Sequence, residues 1–188
     1  MGNFERFGVM LDVSRNAVMK VSELKKFIDY ISKMGYNCLE LYAEDTYQID
    51  GEPYLGYLRG AYTKDELKEV HAYAKDKGIE LIPCIQTLAH ITNMCKIPHY
   101  WDIIDCDDIL LIGNEKTYAF IENMFKSIAE TFTSREINIG MDEADKVGLG
   151  QYLHQNGYQD RTELLLKHLN KVAEIAEKYG FHCHMWSD

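Results

Sequence analysis

The chain has 188 residues, 46% hydrophobic and 27% charged, an ordinary globular composition with enough apolar content for one sizeable core. Thirty acidic against twenty basic residues leave a formal charge of -10, which argues against nucleic acid or an anionic membrane surface as partner. No run approaches the ~20 apolar residues of a membrane span, and the start shows no signal-peptide pattern.

The first apolar, strand-like run is Phe7–Val13. Behind it, Leu24, Phe27, Ile28, Ile31 and Met34 recur at helical spacing, with Ser22 as the expected cap and Gly35 as the stop. A second strand is predicted over Asn37–Tyr42. A second helix opens on the capping box Thr63-Lys-Asp-Glu66 and ends at Gly78. Ile79–Gln86 reads as the third strand, residues 114–132 as a helix, and Glu136–Met141 as the fourth strand. A last helix runs from Asp160-Arg-Thr-Glu163 to Gly180, followed by a fifth strand at Phe181–Trp186. Around Gly35, Gly78 and Gly180 one junction repeats: a basic residue in the last helical turn, then a glycine, then a strand.

Regular alternation of strand and helix implies a parallel sheet in an α/β fold. The segments after strands, Ala43–Tyr62 and Thr87–Gly113, are long, whereas those before strands are short. That asymmetry is expected of a (β/α) barrel of the TIM type, whose strand-to-helix loops build the active site. No GxGxxG or P-loop follows a strand, which disfavours a nucleotide-binding sheet. A closed barrel needs eight strands in ~250 residues. Residues 1–188 are therefore read as the N-terminal portion of a barrel catalytic domain, truncated after about five βα units. The open sheet edge predicts self-association.

Five cysteines (Cys38, Cys84, Cys95, Cys106 and Cys183) form no CxxC pair. A disulfide framework is not expected, Cys38, Cys84 and Cys183 are read as small hydrophobes within strands, and a reducing cytoplasm is the expected location.

Polar groups collect where strands end: Asp12-Val-Ser-Arg15, Glu40-Leu-Tyr42-Ala-Glu44-Asp45, Gln86-Thr-Leu-Ala-His90, Asp142-Glu143 and Trp186-Ser-Asp188. Adjacent strand residues point to opposite faces, so Asp142 and Glu143 share a pocket only where their strand is ending. Two neighbouring carboxyls do not both ionise easily, which separates a base from an acid.

Ile139-Gly-Met-Asp142-Glu143-Ala144 resembles the active-site signature of family-20 glycoside hydrolases, the β-hexosaminidases, roughly H-x-G-x-D-E. Gly8–Arg15 is similar to that family's first strand, and Leu41–Tyr47 and Gln86–His90 to its second and third strand loops, particularly in the bacterial exo-N-acetylglucosaminidase branch. Three positions depart from the pattern: Asn138 stands for the signature histidine, Asn16 for a histidine after the arginine, and Glu40-Leu-Tyr42 for an HWH-type second strand.

The resemblance implies an exo-acting, retaining β-N-acetylhexosaminidase that uses the substrate's own acetamido oxygen as nucleophile, without a cofactor or metal. Its partner would be a glycan with a terminal β-linked N-acetylhexosamine. Glu143 would be the general acid/base and Asp142 the acetamido-orienting residue. Arg15 would clamp sugar hydroxyls, His90 would support Asp142, and Trp186 would wall the acetamido methyl. Glu44 and Asp45 are loop acids of unassigned reach, and Trp101 is a leaving-group candidate. Tyr42, Tyr47, Tyr54, Tyr57 and Tyr62 either stack on sugars or hold the second loop together. Two other readings stay open: a metal-dependent sugar isomerase or epimerase using Glu40, Asp142, His182 and His184, and a truncated, non-catalytic sugar-binding fragment.

Overall fold

The computed structural model describes residues 4–187. In chain order the elements are β1 (Gly8–Asp12), α1 (Val21–Lys33), β2 (Cys38–Ala43), α2 (Lys64–Asp76) and β3 (Glu80–Ile85). A small hairpin follows, β4 (Ile104–Cys106) and β5 (Ile109–Leu110), and then α3 (Glu115–Ala129), β6 (Glu136–Asn138), α4 (Gln151–Asn156), α5 (Arg161–Lys178) and β7 (His182–His184).

Five strands form one parallel sheet in the order β1-β2-β3-β6-β7, each beside the strand that precedes it. A doubly wound sheet reverses its order at a switch point. This one never reverses, so its helices stay on one side and the sheet describes an arc of a barrel. β1 and β7 are the edges of the described sheet.

Side-chain alternation divides the arc into two faces. Leu39, Leu41, Leu81 and Ile137 are buried with the apolar stripes of the helices: Leu24, Ile28 and Ile31 of α1; Leu67, Val70 and Ala74 of α2; Ile121, Phe125 and Ile128 of α3; Leu164, Val172 and Ile175 of α5. The other face turns inward. In register across it lie Tyr42, Cys84, Asn138 and His184, with Asp12 beside Tyr42, and one step lower Met10, Glu40 and Ile82.

The repeated glycine junctions are Schellman closures. Tyr36 N–H reaches Ile31 O, Ile79 N–H reaches Ala74 O, and Phe181 N–H reaches Ala176 O, each across a left-handed glycine. Thr63, Asn114 and Asp160 cap α2, α3 and α5 through their side chains, and Thr63 with Glu66 completes a capping box.

Ser22 is not a cap. Lys20 occupies the N-cap of α1 with an extended backbone and no side-chain bond, so Ser22 already lies in the first turn. Cys38 and Cys84 are buried, but Cys183 is exposed because its strand is an edge. Among the described residues no helix is long and apolar enough to cross a membrane. The segment 87–113 is more ordered than its composition suggests, holding two 3₁₀ turns and the β4–β5 hairpin. Asp105 ties this loop to the next, its carboxylate accepting from Gly148 N and Tyr152 N at 2.7 Å each.

Candidate active site

The carboxyl ends of the strands enclose a cleft of about 560 Å³ lined by Met10, Asp12, Arg15, Tyr42, Asp142, Glu143 and Trp186. Each wall follows from a local device. Where β1 ends, Asp12 Oδ1 accepts from Ser14 N (2.8 Å) and Arg15 N (3.0 Å), an Asx-type turn that swings Arg15 over the strand ends. Below it, Ser14 Oγ bonds Glu44 N (2.7 Å) and Thr46 Oγ1 (3.0 Å), locking the first loop to the second.

Arg15 meets three acceptors. Its Nη2 donates to Tyr42 Oη at 3.2 Å, its Nε lies 3.5 Å from Glu44 Oε1 and 3.7 Å from Asp12 Oδ2, and its Cζ stands 5.1 Å from the Tyr42 ring centroid. Burial opposes the guanidinium charge, but Tyr42, Asp12 and Glu44 outweigh it and raise the pKa above its ordinary value. Arg15 therefore stays cationic.

Tyr42 is the hub of the site. Its hydroxyl accepts from Arg15 and from Gln86 Nε2 (3.1 Å) and donates to Glu44 Oε1 (3.2 Å), which uses its one proton and both lone pairs. Burial pushes the phenol pKa upward, so it remains a neutral donor.

Gln86 connects this cluster to the acidic pair. Its amide is buried, and Nε2 donates its second proton to Asp142 Oδ1 at 3.1 Å. Asp142 Oδ2 takes the His90 Nε2 proton at 3.0 Å. Both oxygens of Asp142 are thus fixed, and its side chain is 15% exposed. Glu143 follows with a 71% exposed side chain whose Oε2 lies 3.6 Å from the same His90 nitrogen. A sharp turn after β6 makes this possible: Gly140, Met141 and Glu143 all have positive φ (70°, 72° and 54°). The two neighbours are thereby spared the opposite faces that a strand would impose. One carboxylate is clamped in place and the other projects into the cleft.

Of the expected site residues, Arg15, Asp142, Glu143 and Trp186 line the cleft together, with Trp186 38% exposed. His90 and Glu44 touch them from behind. Asp45 turns away, buried against Arg59 Nε at 3.3 Å. Trp101 stands elsewhere, 56% exposed in the 3₁₀ turn Pro98–Ile103, its indole N–H held by Cys95 O at 2.9 Å. Asp188 lies outside the described residues. Gln86 and Tyr42, which the sequence places at strand ends without a bonding role, are the residues that connect the site. Tyr47 and Tyr62 are buried and bridge their loop, whereas Tyr54 and Tyr57 are exposed.

Among the described residues no group of three or more His, Cys, Asp or Glu side chains is arranged to hold a metal ion. The residues of an isomerase-type site do not converge. Glu40 pairs with His184 at 3.4 Å, His182 with Glu136 at 3.5 Å, and Asp142 belongs to the Gln86–His90 cluster.

Sheet order and site position together define a (β/α)-barrel scaffold with a carboxylate site at its strand ends. The profile of the glycosyl hydrolase family 20 catalytic domain matches residues 4–188, and the chain belongs to that family. It is 24% identical to a beta-hexosaminidase of Porphyromonas gingivalis, over 96% of this chain and 27% of that protein. It is 26% identical to hexosaminidase D of Bos taurus, over 88% of this chain and 49% of that one. The solved exo β-N-acetylglucosaminidase of Vibrio harveyi, in complex with N-acetylglucosamine, has the same fold, with a TM-score of 0.86 at 23% identity over 98% of this chain and 36% of that chain. The chain thus spans between about a quarter and a half of the curated relatives' length.

Proposed function

We propose that this chain carries the catalytic centre of a retaining exo-β-N-acetylhexosaminidase that works by substrate assistance. The observation that carries this reading is the Asp142–Glu143 pair, with Asp142 bonded at both oxygens by Gln86 and His90 while Glu143 projects into the Arg15 cleft. Most retaining glycosidases flank the scissile bond with two carboxyls ~5 Å apart, one of them a nucleophile. A carboxylate already bonded at both oxygens is poorly suited to attack. It is well suited to hold an acetamido N–H while that group's own oxygen closes on the anomeric carbon, and to stabilise the oxazolinium charge.

Glu143 then protonates the leaving oxygen and later takes the proton of the attacking water. Arg15, its planar fork turned to the cleft beside Asp12, pairs with vicinal sugar hydroxyls. Trp186 lines the same cleft and offers an apolar wall for the acetamido methyl. The partner is a glycan or glycoconjugate ending in β-linked N-acetylhexosamine.

The test is hydrolysis of a chromogenic N-acetyl-β-glucosaminide against the plain β-glucoside. Cleavage is expected only of the acetamido sugar, with a loss on the order of 10²–10⁴-fold in Glu143→Gln. Equal rates on the two sugars, or an unaffected Glu143→Gln, would overturn the mechanism.

A further inference from the structure

The turn that presents Asp142 and Glu143 is held from beneath by side chains outside the cleft. β6 ends at Asn138, and the chain then passes through left-handed Gly140 and Met141. Met141 has a side chain and adopts this conformation against its preference, so the turn needs external support. Asn138 Oδ1 accepts from Gly140 N at 2.9 Å. That bond fixes the amide's orientation, since only its oxygen can accept. Its Nδ2 therefore faces across the arc to β2, where Glu40 Oε2 lies 3.4 Å away. The other oxygen, Glu40 Oε1, lies 3.4 Å from His184 Nε2 on β7.

β7 closes the circuit through the backbone: Ile139 N–H bonds His184 O at 2.9 Å, and Trp186 N–H bonds Gly140 O at 3.3 Å. Glu40, Asn138 and His184 line an adjoining hollow of about 550 Å³ that shares Met10 and Trp186 with the cleft, and none of the three lines the catalytic cleft itself.

We infer that Glu40, Asn138 and His184 are positioning residues, a polar relay across the barrel interior that sets the Gly140–Met141 turn and with it the aim of Asp142 and Glu143. An asparagine here presents an acceptor to Gly140 and a donor to Glu40 in one planar group. His184 first, then Asn138 and Arg6, hold the Glu40 carboxyl below its ordinary pKa against the cost of burial, which keeps it an acceptor.

The relay rests on the glycosidase reading for its kinetic readout, and amide NMR of the chain separates the two. Asn138→Asp keeps the oxygen for Gly140 but sets a second oxygen against Glu40. Adding Glu40→Gln restores the match with donor and acceptor exchanged. In Asn138→Asp the Gly140, Asp142 and Glu143 amide resonances should move and kcat on the N-acetyl-β-glucosaminide should fall about tenfold or more with KM nearly constant. Glu40→Gln/Asn138→Asp should return both towards wild type. If the wild-type chain is silent, the family reading stands, this stretch alone does not complete the active barrel, and the resonances alone decide the relay. If Asn138→Asp does not fold, a folded double variant with wild-type resonances supports the relay, and an equally unfolded double overturns it. Unmoved amides in a folded Asn138→Asp, or a double variant no better than the single, also overturn it.

Discussion

The two ends of the parallel strands solve the same backbone problem in opposite ways. Where helices return to strands, Gly35, Gly78 and Gly180 adopt φ of 88°, 72° and 72°, and a Cβ at any of them would meet nothing within 4 Å. These turns are short, repeated and unstrained. At the other end His90, Met141 and Glu143 take positive φ with full side chains, and Gly140 is wedged so that a Cβ would meet Gln86 Oε1 at 2.1 Å and Ile85 O at 2.9 Å. One end uses glycine to stop helices at low cost. The other stores conformational strain where side chains must be aimed, as active sites commonly do.

Substituting matched glycines gives the largest test of that contrast. Gly78→Ala adds only the left-handed penalty of about 1–2 kcal/mol. Gly140→Ala adds the same penalty and overpacking as well, about 2–5 kcal/mol in all, and it displaces the amide that tethers Asp142. Urea unfolding should rank the two variants in that order, and only Gly140→Ala should also abolish hydrolysis. Equal losses of stability would mean that the Gly140 turn relaxes freely and that the ends do not differ.

A second test uses acid. His168 of α5 is fully buried, its Nε2–H directed at Thr87 O (2.9 Å) and its Nδ1 facing the Tyr118 hydroxyl (3.3 Å). Thr87 in turn grips Ile139 O through both its N–H and its hydroxyl, just before the catalytic turn. Burial lowers the His168 pKa from 6.5 to about 4. The unfolded chain therefore binds a proton that the folded chain refuses between those values, and stability falls as pH drops through this window. The loss is up to about 3 kcal/mol, counted at ~1.4 kcal/mol per pKa unit. Stability profiles of the wild type and His168→Gln should stand a constant distance apart above pH 6.5 and converge as pH falls from 6.5 to about 4. Parallel profiles would show that His168 does not anchor the loop end through its neutral form.

How much of this was legible in the sequence differs between the ends in the same way. The short turns are local: a basic residue, a glycine and an apolar residue suffice, so the five strands, Thr63, Asn114, Asp160 and the glycine stops could be read directly. The gathering of Arg15, His90, Asp142, Glu143 and Trp186 was also legible, because strand ends in a parallel arc share one side. Gln86 was not, since its role rests on two acceptors 44 and 56 residues away. Nothing local separates Glu44, which reaches Arg15, from Asp45, which reaches Arg59. The hairpin within 87–113 has strands of three and two residues, too short for any periodicity to show. Trp101 is a leaving-group candidate in the sequence, and the bond that holds its indole N–H on Cys95 O is visible only in three dimensions.

The smallest predicted effect lies within the strand-carboxyl end itself, where the loop after β2 passes into α2. Thr63 follows directly on Tyr62, whose N–H and C=O bond Thr46 and Gln48 in the loop after β2, yet its side chain serves only the start of α2. Thr63 Oγ1 accepts from Glu66 N at 3.1 Å, and Glu66 Oε2 accepts from Thr63 N at 2.9 Å. Thr63→Ala should cost about 1 kcal/mol, since one helix-end donor is left to water and the rest of the turn is kept. Hydrogen exchange at the Glu66 amide should accelerate while Tyr62 stays protected, because Tyr62 is held by Thr46 O and its ring is buried. If Tyr62 loosens with Glu66, the cap and the active-site loop unfold as one unit. The strained end would then depend on local helix signals, and the division between the two ends would have to be redrawn.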